Sequence, residues 1–123
     1  MGGNFMKQNL EEYKVLEKLG EEVKYKINDQ ENECLFKVLE ALKKYPHAPQ
    51  PQNLLGILAE KHGDGVLAMA HYRASYALAP YYRPSRENMD RYAERFIKSG
   101  CYYTDQDCEN KEKELKKRGV GHE

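Results

Sequence analysis

The chain has 123 residues, 40% of them hydrophobic and 33% charged, with 20 basic side chains balanced by 20 acidic ones. That length fits one domain with one modest core and is too short for two. The zero net charge argues against generic nucleic-acid or anionic-membrane binding, which rest on a positive field, and ten Tyr with three Phe are too many for a disordered chain.

Apolar residues recur at helical spacing from Leu10 onward. Leu10, Tyr13, Leu16, Leu19, Val23 and Ile27 predict a first helix, broken at Asn28-Asp29-Gln30. Leu35, Val38, Leu39 and Leu42 trace a second, stopped by Pro46, Pro49 and Pro51. Proline cannot continue a helix but fits its first turn, so Pro51 marks the start of a third, followed by Leu54, Leu55 and Leu58. Gly63-Asp64-Gly65 reads as a turn. The fourth helix carries Leu67, Ala68, Ala70, Tyr72, Ala74, Ala77 and Leu78 and ends at Pro80.

Pro84-Ser85 opens a fifth helix, with Ser85 placed to cap it and Met89, Tyr92, Ala93, Phe96 and Ile97 forming its apolar stripe up to Gly100. Thr104, three residues before Asp107, reads as a capping box with a shorter acid and begins a sixth helix running to about Arg118. Acids lead it and bases trail it, as the helix dipole favours. Only Cys108 and Leu115 are apolar between Asp105 and Arg118, so this helix is expected to be loosely held. No segment alternates as a strand would.

Pro46 and Pro80 stand 34 residues apart, each closing a helix with small residues one turn apart. Leu55, Gly56, Gly63, Asp64, Ala68, Tyr72, Ser75 and Pro80 fall in one unbroken register. In that register the chain resembles the tetratricopeptide repeat (TPR) family. Ser75 replaces the usual alanine, and polar Gln52 holds the first large apolar position. Leu16, Leu19-Gly20 and Val23, with Cys34, Val38, Ala41 and Pro46, make a looser upstream copy with a longer turn. Downstream, Met89 and Ala93 match, but Asp90 stands where glycine is preferred.

The resemblance implies an all-α fold: about six helices in antiparallel pairs, stacked as a short TPR-like right-handed solenoid. A single domain, 1–123, would hold a divergent repeat at 13–48, the best match at 49–82, and a half-repeat plus C-terminal capping helix at 83–118. It also implies a concave groove lined by the first helix of each pair. Asn53, Leu54, Ile57, Glu60 and Lys61 would face it from the central pair, Glu87, Asn88, Arg91 and Arg95 from the next, and Lys14, Glu17, Lys18 and Glu21 from the first. Leu54 and Ile57 either project apolar surface into solvent, a binding signal, or pack against the neighbouring helix. Arg91 and Arg95 either grip an anion or pair with Glu87 and Glu94. Tyr81 and Tyr82, beside Arg83 and Arg86, are possible edge contacts for a peptide or a stacked base.

No metal-ligand spacing, nucleophile constellation or phosphate loop occurs among His47, His62, His71, His122 and the cysteines, so no enzyme, metal or cofactor is expected. Three Cys, at 34, 101 and 108, form an odd, sparse set that fits a reducing cytoplasmic setting. No apolar run is long enough to span a membrane, and Met1–Leu10 lacks the apolar core of a signal peptide. The expected function is that of a protein-interaction module, an adaptor or chaperone-like holder of a protein or peptide. The alternatives are a homodimer built on Tyr92, Phe96 and Ile97, and a weak single-stranded nucleic-acid binder using Tyr81, Tyr82, Arg83, Arg86, Arg91 and Arg95.

Overall fold

The computed structural model describes residues 8–94 and 100–119. Those residues form six α-helices and no strand: α1 (Leu10–Lys26), α2 (Glu31–Lys44), α3 (Pro49–Lys61), α4 (Gly65–Leu78), α5 (Arg83–Ala93) and α6 (Asp105–Lys117). None is long and apolar enough to cross a membrane.

Helix starts follow the local chemistry. The Asn9 side chain accepts the Glu11 and Glu12 amides to begin α1, and Asp64 accepts that of Leu67 to begin α4; both satisfy amides that the first turn leaves without a partner. α3 has no side-chain cap and begins at Pro49, two residues before the predicted Pro51. Both prolines fit the first turn, where an amide would have no helical partner anyway. α5 likewise begins at Arg83, ahead of Pro84. Ser85 is therefore not a cap: it is buried within the first turn, its hydroxyl 2.5 Å from that of Ser75. α5 ends at Ala93, capped by Glu94; Phe96 and Ile97 lie outside the described residues.

α3 is the central element. It packs against α4, α2, α1 and α5, and it buries Leu54, Leu55, Ile57, Leu58 and Ala59 from every side. A helix surrounded in this way has no solvated face to keep polar. Val23 and Ile27, Cys34 and Val38, Ala68 and Tyr72, and Tyr103 complete the same core. Gly56 allows the closest approach: a Cβ there would lie 2.5 Å from the Tyr72 ring. On α2 the inward residues are Cys34 and Val38, while Leu35, Phe36 and Leu39 are exposed. Of the predicted stripe, Val38 and Leu42 face the core and Leu35 and Leu39 do not, because α1 and α3 both press on the Cys34–Val38 side.

Candidate functional site

α1, α3 and α5 all meet one short non-helical segment, Gly100–Thr104, which precedes α6. Each helix supplies polar groups to it. From α5, Asn88 accepts the Tyr102 amide through Oδ1 at 2.9 Å and donates through Nδ2 to the Tyr102 carbonyl at 2.9 Å. The same Nδ2 donates to Asn53 Oδ1 at 2.9 Å. From α3, Asn53 Nδ2 donates to the Tyr102 carbonyl at 3.0 Å. Both asparagines are fully buried. The Asn88 carboxamide thus takes the N–H and the C=O of one residue, the pair of bonds that a facing residue exchanges in an antiparallel ladder.

From α1, Gly20 leaves room for the backbone itself: a Cβ there would be 2.7 Å from the Tyr103 carbonyl oxygen and 2.8 Å from Thr104 Cγ2. One turn earlier, Glu17 Oε1 accepts the Asp105 amide at 2.9 Å, while its Oε2 accepts the Tyr82 hydroxyl at 2.6 Å and Gln50 Nε2 at 3.2 Å. Burial pushes the Glu17 carboxyl above its usual range, and these three donors only partly offset the effect. Tyr13 donates its hydroxyl to Asp105 Oδ2 at 2.7 Å. Burial, with Glu17 nearby, holds the Tyr82 phenol protonated.

The start of the segment lies beside an ion pair. Glu60 Oε1 on α3 accepts from Arg91 on α5 at 2.6 Å and from the Tyr72 hydroxyl on α4 at 2.7 Å. The Arg91 side chain is 4% exposed, and its second contact is the Cys101 sulfur at 3.4 Å. Burial works against the charge of Arg91, but the Glu60 hydrogen bond and the charges of Cys101, Glu60 and Tyr72 together outweigh it, and its pKa is raised. Burial also raises the Cys101 thiol, so it is a poor nucleophile despite the neighbouring cation.

Several expected surfaces are rearranged. Asn53, Leu54 and Ile57 are 0% exposed, as is Asn88, so none lines an open groove. The polar members face the chain's own segment, and the two aliphatic ones are core. Arg91 pairs across helices with Glu60, not along its own helix with Glu87 or Glu94, because α3 presents a carboxylate to the buried side of α5. Arg95 lies outside the described residues. Tyr81 stays 41% exposed, whereas Tyr82 is 2% exposed and turned onto Glu17. Of the residues offered for a nucleic-acid surface, Tyr82 and Arg91 are interior, and Arg83 faces Asp105, Glu109 and Glu112 within 4 Å. Tyr92, offered for a dimer interface, is half-buried, with its ring over Gly65.

The repeat resemblance pointed to Glu17, Asn53, Glu60, Asn88 and Arg91 but missed what they hold. Tyr102 and Tyr103 lay between predicted helices, and Gly20 read as part of a repeat motif. The available signal was a short aromatic stretch between Gly100 and the capping Thr104, too short for a helix and facing buried amides. The first turn of α6 is also firmer than its composition predicts. Thr104 accepts the Asp107 amide at 3.3 Å, Asp107 Oδ2 accepts the Tyr103 amide at 2.9 Å, and Cys108 is buried.

Elsewhere, an open trough of about 530 Å³ between α1 and α2 is lined by Val15, Leu16, Leu19, Ala41 and Tyr45 and edged by lysines. Among the described residues no three His, Cys, Asp or Glu side chains converge as metal ligands. His71 rests 2.8 Å from Gln52 Oε1, its pKa lowered by burial. No protein-family model, curated protein or solved structure matches the chain.

Proposed function

We infer that the chain is a protein-interaction module, an adaptor or chaperone-like holder that grips an extended polypeptide segment and catalyses no reaction. The observation that carries this reading is the Asn53–Asn88 pair on the Tyr102 main chain. Reading both the N–H and the C=O of one residue gives affinity that any extended peptide can supply, as in β-strand addition. Buried carboxamides also select against ligands that leave them unsatisfied.

A TPR-like stacking is supported by the neighbour order: α1 lies beside α3 and α3 beside α5, as the first helices of stacked pairs would. The three thiols, none of them in a disulfide, support a reducing compartment such as the cytoplasm.

Panning a random peptide library against the full chain tests the reading. Captured peptides should bind in solution, and Asn53→Ala or Asn88→Ala should weaken them roughly tenfold or more, the loss of one to two buried hydrogen bonds. Val15→Glu in the trough between α1 and α2 should leave binding unchanged. If no peptide is captured, or if Val15→Glu abolishes capture while Asn88→Ala does not, the holding face is wrongly assigned.

A further inference from the structure

We propose that Gly100–Asp105 is a resident ligand of the α1–α3–α5 face, which yields to a segment of another protein carrying two successive aromatic residues, a hydroxyl residue and an acid. This rests on the holding function above and names its ligand. The resident residues define the chemistry position by position. Tyr102 supplies the main-chain N–H and C=O read by Asn88 and Asn53. Tyr103 passes its carbonyl over Gly20, where no side chain fits. Thr104 brings a methyl against the same glycine and starts a helix with its hydroxyl. Asp105 gives its amide to Glu17 and takes the Tyr13 hydroxyl on its carboxylate. Tyr102 and Tyr103 are each 8% exposed, so a partner lacking two rings there would leave cavities, and one lacking the acid would leave the Tyr13 hydroxyl without its acceptor.

The segment itself buries Tyr102, Tyr103 and Thr104, but little apolar surface holds α6, the helix directly after it. Beyond the Asp105 contacts to Tyr13 and Glu17, α6 buries only Cys108, and its further ties to the body are the exposed pairs of Arg83 with Glu109 and Glu112 and the pair of exposed Lys24 with Asp107, whose carboxylate is 12% exposed. Exposed pairs of this kind contribute little. The most weakly anchored element thus lies directly behind the ligand-like segment, where local opening is easiest. The resident segment lowers the apparent affinity for a competing one by the fraction of time that the face is vacant.

The test uses the full chain and a labelled synthetic peptide with the sequence of residues 100–107. Tyr102→Pro removes the amide that Asn88 accepts and weakens only the resident copy. It should bind the peptide about tenfold or more tighter than the parent chain. Adding Asn88→Ala should remove that gain, and a scrambled peptide should not bind. On the parent chain, hydrogen exchange of amides 101–108 should be faster than that of α3, and should quicken with peptide while α3 and α4 stay protected.

Equal binding of library-selected peptides by parent and Tyr102→Pro chains would overturn the resident-ligand proposal and leave the holding function standing. Absence of any captured peptide on both chains would remove both. Exchange at 101–108 only through global unfolding, at the rate of α3, would mark the segment as permanent core and end the proposal. So would a concentration-dependent dimer of the Tyr102→Pro chain that excludes the peptide, since the face would then be taking a second copy.

Discussion

Asn88 satisfies both main-chain groups of Tyr102, each at 2.9 Å, across 14 residues of sequence. Its remaining capacity goes to Asn53, so a buried carboxamide has its acceptor and both faces of its donor engaged. The arrangement ties α3, α5 and the segment before α6 together without using any side chain of the segment. Replacing Asn88 with alanine removes two buried pairs to Tyr102 at once. A stability loss of about 2–4 kcal/mol is expected in urea denaturation, with Asn88→Asp little better because it cannot donate. An unchanged midpoint would show that the pair is not formed in solution.

Gly20 and Gly56 are both close-approach glycines, but they guard different neighbours. At Gly56 a methyl would strike the Tyr72 ring at 2.5 Å, in the middle of the core. At Gly20 it would strike the Tyr103 carbonyl at 2.7 Å. Gly56→Ala should destabilise the whole chain by about 1–3 kcal/mol as an overpacking change. Gly20→Ala should instead lift the segment away. Amide exchange would then rise at 102–108 while α3 and α4 keep their protection, a pattern that Gly56→Ala should not give.

The Glu60–Arg91 pair should behave as a buried ion pair. Glu60→Gln leaves the Arg91 guanidinium, 4% exposed, without its counter-charge. Its Nε already has no hydrogen-bond partner among the described residues. The expected cost is about 3–5 kcal/mol, whereas Glu60→Met with Arg91→Met should recover most of it, since no charge then remains buried. A double variant no more stable than the single one would show that the pair is not desolvated as described.

Glu17 makes stability depend on pH. Burial raises its folded pKa above the ordinary value of 4.5, so between those values the folded chain binds more protons than the unfolded one. Its contribution is therefore largest below pH 4.5 and falls as pH rises through the raised folded value. The stability of the parent chain minus that of Glu17→Gln should accordingly shrink between about pH 4 and pH 7, read from urea midpoints at each pH. A difference that grows with pH would mean that the carboxylate is stabilised in the fold instead.

Helix existence was legible in the sequence because it depends on local features: apolar spacing, the prolines at 49, 51 and 84, Thr104 as a cap, and the Gly63-Asp64-Gly65 turn, where Gly63 has φ of 82°. The inward face of α2 was less so, since Leu35 and Leu39 are as apolar as the buried Cys34 and Val38. Which of two adjacent stripes is buried depends on where α1 and α3 stand. The candidate site was legible only as a set of side chains. Asn53, Asn88, Glu17, Glu60 and Arg91 were placed on one side of their helices, as if open to solvent.

By itself the sequence determined the local conformation, because capping, proline geometry and a 3.6-residue period act over a few residues. Only the tertiary structure decided what the α1–α3–α5 face holds. The Asn88–Tyr102, Glu17–Asp105 and Glu60–Arg91 contacts join residues 14, 88 and 31 positions apart, and no local rule pairs them. They form because a chain that buries α3 on every side also buries its polar groups, and those groups must then find partners within the fold.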